Sequence, residues 1–262
     1  MNELSAKITN LSYEIFGVIL PGLIAELFFV AWWIALGSAA PIWTLELLPQ
    51  LTSETASELV KSLTVNTGIG IAVPGIVAAY FIGHILHWVG RSSTPNDRSS
   101  SSWLRRVGYS LIFRIPKPIE SYSSHLKPLF EAVEPKFRTN DLQLNWAQFF
   151  PLAKCYLSTN LVSSLVANYQ NKYTLHRSIT TAATLLFWVC ILAIGLGVVC
   201  MRWCSISVVP RWGPLVILDF FSLVLVWGFS DSYLYHWKMF GNTIVTETYS
   251  LILGPPNVRP KP

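Results

Sequence analysis

Four stretches of this chain are apolar over nearly the length a helix needs to cross a bilayer, and they decide what it can fold into. A hydrocarbon core of about 30 Å takes roughly 20 helical residues. Residues 15–37 contain one ionisable side chain, Glu26; residues 67–90 contain only His84 and His87; residues 182–201 contain none; residues 212–229 contain only Asp219. The last stretch is short and extends through residues 230–237. Composition points the same way. Of 262 residues, 52% are hydrophobic and 13% charged, too apolar for a soluble single core. The 11 Trp, 14 Phe and 10 Tyr exclude general disorder, and only 4 Cys exclude a secreted disulfide scaffold. The fold class expected is all-α: an integral membrane protein with four transmembrane helices and a helical cytosolic domain inserted between the second and third.

Lys and Arg in the connections set the orientation. Residues 91–181 hold twelve Lys and Arg against five Asp and Glu, a net of +7 beside +5 for the whole chain. The connection between the first two spans carries Glu46, Glu54 and Glu58 against Lys61. The basic segment is therefore expected in the cytosol with both termini, the protein being multi-pass in a plasma (inner) membrane. Arg202 and Arg211, flanking the outer turn, argue the other way. No basic signal-type leader precedes the first span, which reads as retained. Trp32, Trp33, Trp43, Trp88, Trp203, Trp212 and Trp237 fall near predicted span ends, where an indole lies at the headgroup level.

The chain divides into residues 1–90, the first two spans with an outer loop; 91–102, a Ser-rich linker; 103–181, a basic helical cytosolic domain; 182–230, the third and fourth spans; and 231–262, a cytosolic helix and tail. In the outer loop, Thr55-x-x-Glu58 after Pro41 suits a capped surface helix. Trp103, Val107, Tyr109, Leu111 and Ile112, set among Arg105, Arg106 and Arg114, suit an amphipathic helix on an anionic leaflet. Pro116, Pro118, Pro128, Pro135 and Pro151 break the residues after it into short pieces. Leu161, Leu165, Tyr169 and Tyr173, spaced by four with Val162 and Val166 beside them, share one helical face. With no Gly or Pro between Ser158 and Ile194, a single stalk helix is predicted to run into the third span as a mechanical lever. Pro21-Gly22 and Pro74-Gly75 echo each other in the first two spans, either by chance or as a pair of kinked helices that pack together.

Glu26 and Asp219 are the sharpest chemical signals. A carboxylate at mid-bilayer costs a few kcal/mol, and no Lys or Arg lies within any span to neutralise either one. Two readings stand: neutral carboxyls bonding helices together, or groups lining a hydrated ion pathway, recurring as acidic rings in a symmetric oligomer. His84 and His87 are spaced to share a helix face and a metal, but no third ligand is evident. Cys200 and Cys204 make no zinc signature; Cys155 and Cys190 read as buried thiols. No nucleophile elbow, zincin, P-loop or dinucleotide motif is present, so neither enzymatic activity nor a cofactor is expected. The basic segment interleaves its cations with aromatic rings. Arg105, Arg106, Arg114, Lys117, Lys136, Arg138, Lys172 and Arg177 are the candidate contacts, either to anionic lipid or to a nucleotide or oligonucleotide.

A small multi-pass chain with spans at both ends, an inserted basic domain and no catalytic motif resembles the membrane effectors of bacterial anti-phage systems, the channel subunits of Hailong-type systems among them. The resemblance implies a homo-oligomeric channel or pore-type effector, gated through its cytosolic domain by a regulatory protein or nucleotide-type signal. It carries over no functional residue. A membrane anchor recruiting a soluble partner is the alternative, and an intramembrane enzyme using Glu26, Asp219 or the His pair is a third.

Overall fold

The computed structural model describes residues 11–39, 69–91, 121–138, 143–161, 165–203 and 212–254. Among them every regular element is helical. A π-helical turn, Ile15–Ile19, leads into α1, Leu20–Ala39, and α2 is Ile69–Arg91. A short α3, Lys127–Val133, lies between 3-10 turns at Ser124–Leu126 and Glu134–Phe137; α4 is Trp146–Asn160, α5 Leu165–Trp203 and α6 Gly213–Ile252. Four segments are long and apolar enough to cross a membrane: Leu11–Leu36, Val73–Gly90, Leu165–Val199 and Gly213–Ile252.

Helices α5 and α6, of 39 and 40 residues, reach about 60 Å, twice a hydrocarbon core. They lie against each other in opposite directions. At one end Tyr173 meets Trp237 and Phe240; at the other, Leu186 and Cys190 share a cluster with Leu215, Ala35 and Trp32. Helix α5 is central, touching α1, α2 and α6.

Helices α1 and α2 close on each other because two glycines permit it. A Cβ on Gly22 would stand 1.8 Å from the Ala79 carbonyl oxygen, and one on Gly83 would stand 2.0 Å from that of Val18. Gly75 has nothing within 4 Å of its Cβ position, so the Pro-Gly echo is not a packing symmetry: only its first glycine is a close contact. The π turn precedes Pro21. The Leu20 N–H donates to the Ile15 carbonyl five residues back, and Pro21 has no N–H to continue that register.

Residues 121–138 and 143–161 fold onto the far halves of α5 and α6 as one module. Tyr122, Val133, Trp146, Phe149, Ala153 and Leu157 form a single core with Val166 of α5 and Trp237, Phe240, Ile244 and Val245 of α6. Each large apolar side chain buried there contributes about 1.5–3 kcal/mol. The Ser123 N–H donates to Asn242 Oδ1 at 2.7 Å, and Gly241 admits the Ser121 backbone, which a Cβ would strike at 2.3 Å. Trp237 is thus a core residue, not an interfacial one.

Four further local expectations change. The stalk does not begin at Ser158: α4 ends at Asn160 and Leu161 is extended, with φ −111° and ψ 128°. Ser158, Thr159 and Asn160 donate to the Cys155 and Tyr156 carbonyls, the side-chain competition by which a helix stops without Gly or Pro. Leu165 points outward while Val166 is buried, so the aligned face starts inside α5. Pro151 sits within α4 without ending it, and Cys155 is exposed, whereas Cys190 is buried. The Ser-rich linker, the amphipathic segment at 103–114 and the outer-loop helix lie outside the described residues.

Candidate functional site

Glu26 is half-exposed on α1. Gly22 meets Ala79 and Val18 meets Gly83, an antiparallel register, whereas nothing, Glu26 included, lies within 4 Å of the Gly75 Cβ position. Asp219, half-buried on α6, has Oδ1 enclosed without a hydrogen-bond partner and lies within electrostatic reach of Cys190. Ser222 donates to the Asp219 backbone carbonyl, not to its carboxylate. Among the described residues neither carboxyl group has a hydrogen-bond or ion-pair partner. The two sit on different helices, α1 and α6.

The second polar centre lies where the module meets the bundle. Between Asn171 and Thr184 the polar residues Asn171, Thr174, Arg177, Ser178, Thr180, Thr181 and Thr184 of α5 are buried, α1, α2 and α6 packing against this helix, while Lys172 stays exposed. Thr180, Thr181 and Thr184 donate to the carbonyls four residues back, at 2.8–3.0 Å, which satisfies their hydroxyls inside the helix itself. Asn171 donates to the Ser12 hydroxyl. Arg177 is 7% exposed, and its Nη2 lies 3.0 Å from His87 Nδ1 on α2. A guanidinium only donates, so the His87 nitrogen accepts and the ring is neutral there. Gly90 permits this approach, with a Cβ position 2.9 Å from Thr181 Oγ1 and 3.4 Å from Arg177 Cγ.

One residue earlier, His176 stacks on His236 of α6, with centroids 4.7 Å apart and planes 20° from parallel. Phe229 covers His176 at 5.5 Å, and Tyr169 borders His236 at 6.4 Å. His236 Nδ1 lies 2.7 Å from the Ser232 carbonyl and so carries the proton, while His176 Nδ1 is buried without a partner. The sequence hides this pair, sixty residues apart; the signal is the register set by Tyr173 and Trp237, which brings them to one level.

The basic residues divide. Arg105, Arg106, Arg114 and Lys117 lie outside the described residues. Lys136 is exposed on its 3-10 turn, and Lys172 is exposed with Nζ 5.6 Å above the Tyr169 ring. Arg138 and Arg177 face inward partners instead of solvent. Arg138 donates through Nε to Glu134, whose carboxylate also accepts from the Leu144 N–H. The Arg138 hydrogen bonds hold the Glu134 carboxyl below the ordinary carboxylate range. Burial pushes the Lys154 ammonium down from its usual value. His84 is exposed against Tyr80, with ring centroids 4.5 Å apart, while His87 turns to Arg177, so the two histidines do not converge. Among the described residues no three His, Cys, Asp or Glu gather as a metal set.

No family model, curated relative or solved structure matches this chain.

Proposed function

We propose that this protein is a homo-oligomeric ion-conducting channel, gated by the module built on the outer halves of α5 and α6. The observation that carries the reading is the pair of partnerless carboxyl groups, Glu26 and Asp219, within segments apolar enough to span a bilayer. Glu26 is half-exposed on α1 in a stretch where Leu27 and Phe29 are exposed as well, so this side of α1 is open to a neighbouring copy. The conduction path therefore forms between copies, each supplying its acids in turn, an arrangement that favours cations. The shared core of module and helices couples any movement of the module to the bundle.

In the wider reading the protein is a multi-pass effector of a bacterial inner membrane, with the module and both termini in the cytosol, acting in anti-phage defence. Of the candidate contacts named from the sequence, Lys136 and Lys172 are the described ones that face solvent and would meet an anionic signal. The competing reading, an anchor for a soluble partner, is favoured by Leu152 of the module and Leu165 at the start of α5, exposed at 46% and 57%.

Purified protein in planar bilayers tests the proposal. Currents are expected, with the cation-over-anion permeability ratio falling several-fold in Glu26→Gln and Asp219→Asn. Silence with and without nucleotide, across the full voltage range, sinks the channel reading and leaves the anchor.

A further inference from the structure

His176 and His236 form the one contact between α5 and α6 made of two titratable rings of this kind among the described residues, and it sits at the join of module and bundle. We propose that this stacked pair is a proton-sensitive clasp: neutral rings hold α5 against α6, and protonation separates them at this level. The geometry sets the direction. The rings are nearly parallel at 4.7 Å, so two imidazolium charges would stand face to face.

The surroundings add positive charge. Facing His176 are His236 and Phe229 from α6 and, on its own helix, Lys172 one turn away. Arg177 is the next residue, its guanidinium turned to His87 of α2. Around His236 are His176 and Tyr169 from α5 and Tyr235 beside it. The charges that act on His176 are those of His236 and Lys172. Moreover, His176 Nδ1 is enclosed without a partner, so a proton placed on it meets no acceptor inside the closed contact. It gains one by moving to water. The Arg177 contact responds in the same sense, since a protonated His87 can no longer accept from it.

This inference concerns how the two helices part and does not require that ions pass. Spin labels at the exposed positions Asn168 and Lys238 report the separation across the clasp, with Cys155, Cys190, Cys200 and Cys204 replaced by Ala. The full chain is placed in phosphatidylcholine nanodiscs. Dipolar broadening between the labels is expected at pH 8 and is expected to disappear reversibly towards pH 4. In the double variant His176→Phe/His236→Phe, which keeps stacked rings and removes their protons, broadening persists at pH 4. Should that variant fail to fold, His236→Gln serves in its place and must hold the broadening to lower pH than the parent chain. Broadening unchanged from pH 8 to pH 4 in the parent, or lost alike in the double variant, overturns the clasp. Neither result depends on whether the channel conducts.

Discussion

A buried charge shows its role by what accepts it, and Glu134 and Arg177 make contrasting cases. Glu134 is 4% exposed and takes hydrogen bonds from the Arg138 guanidinium and the Leu144 N–H, tying the 3-10 turn to the entrance of α4. Glu134→Gln keeps the shape but loses the charge-assisted bonds and is expected to destabilise the module by about 1–3 kcal/mol, read from thermal unfolding of the full chain in detergent. Because the folded carboxyl is held below its ordinary value of 4.5, its stabilisation is complete above that pH. It is lost as pH falls through the lower folded-state value. The variant's unfolding curve should therefore converge on the parent's in acid, and a constant difference across that range would rule out the ion pair as its source. In the sequence both arginines counted towards one basic surface. Charge counting registers sign, not burial: Arg177 sits among Asn171, Thr174 and Ser178, a polar run that looked extramembrane and is enclosed because three helices surround it.

At the scale of an element, close approach of α1 and α2 depends on two hydrogen atoms standing where side chains would be. Gly22→Ala or Gly83→Ala must move a backbone carbonyl that lies 2 Å or less from the new atom, and overpacking of this kind costs about 1–3 kcal/mol. Gly75→Ala enters open space and is expected to leave stability unchanged or slightly raised. Melting of the three variants in detergent separates these outcomes; equal losses at all three positions would mean that the helices do not meet as described. The matching Pro-Gly pairs were visible in the sequence, but only contact tells which glycine matters. The spans themselves were legible because bilayer thickness imposes a length on every crossing. The end of α4 was not, since Ser158, Thr159 and Asn160 stop a helix by hydrogen bonding to their own backbone, a signal far weaker than a proline.

Across the whole molecule, module and bundle share α5 and α6, so neither half is an independent folding unit. Phe240→Ala or Trp237→Ala removes a ring from the core common to the module and both long helices and is expected to cost about 3–5 kcal/mol. Limited proteolysis should then cut within residues 121–161 and in α6 together, whereas cleavage confined to the module would show it to be a separate lobe. The long reach of α6 was foreshadowed by the aromatic and polar stretch after residue 232, which cannot cross a membrane but continues a helix. That it meets the module could not be read, because such contacts join distant positions: Phe150 with Phe240 and Ser123 with Asn242, the latter 119 residues apart. The two long helices also have unequal arms about the histidine stack. His176 lies 11 residues from the start of α5 and 27 from its end, arms of about 16 and 40 Å. Pivoting there, the distant tip near Trp203 sweeps an arc about 2.5 times that of the module end. A rotation small enough to leave the module's packing intact is thereby magnified at the opposite face of the protein.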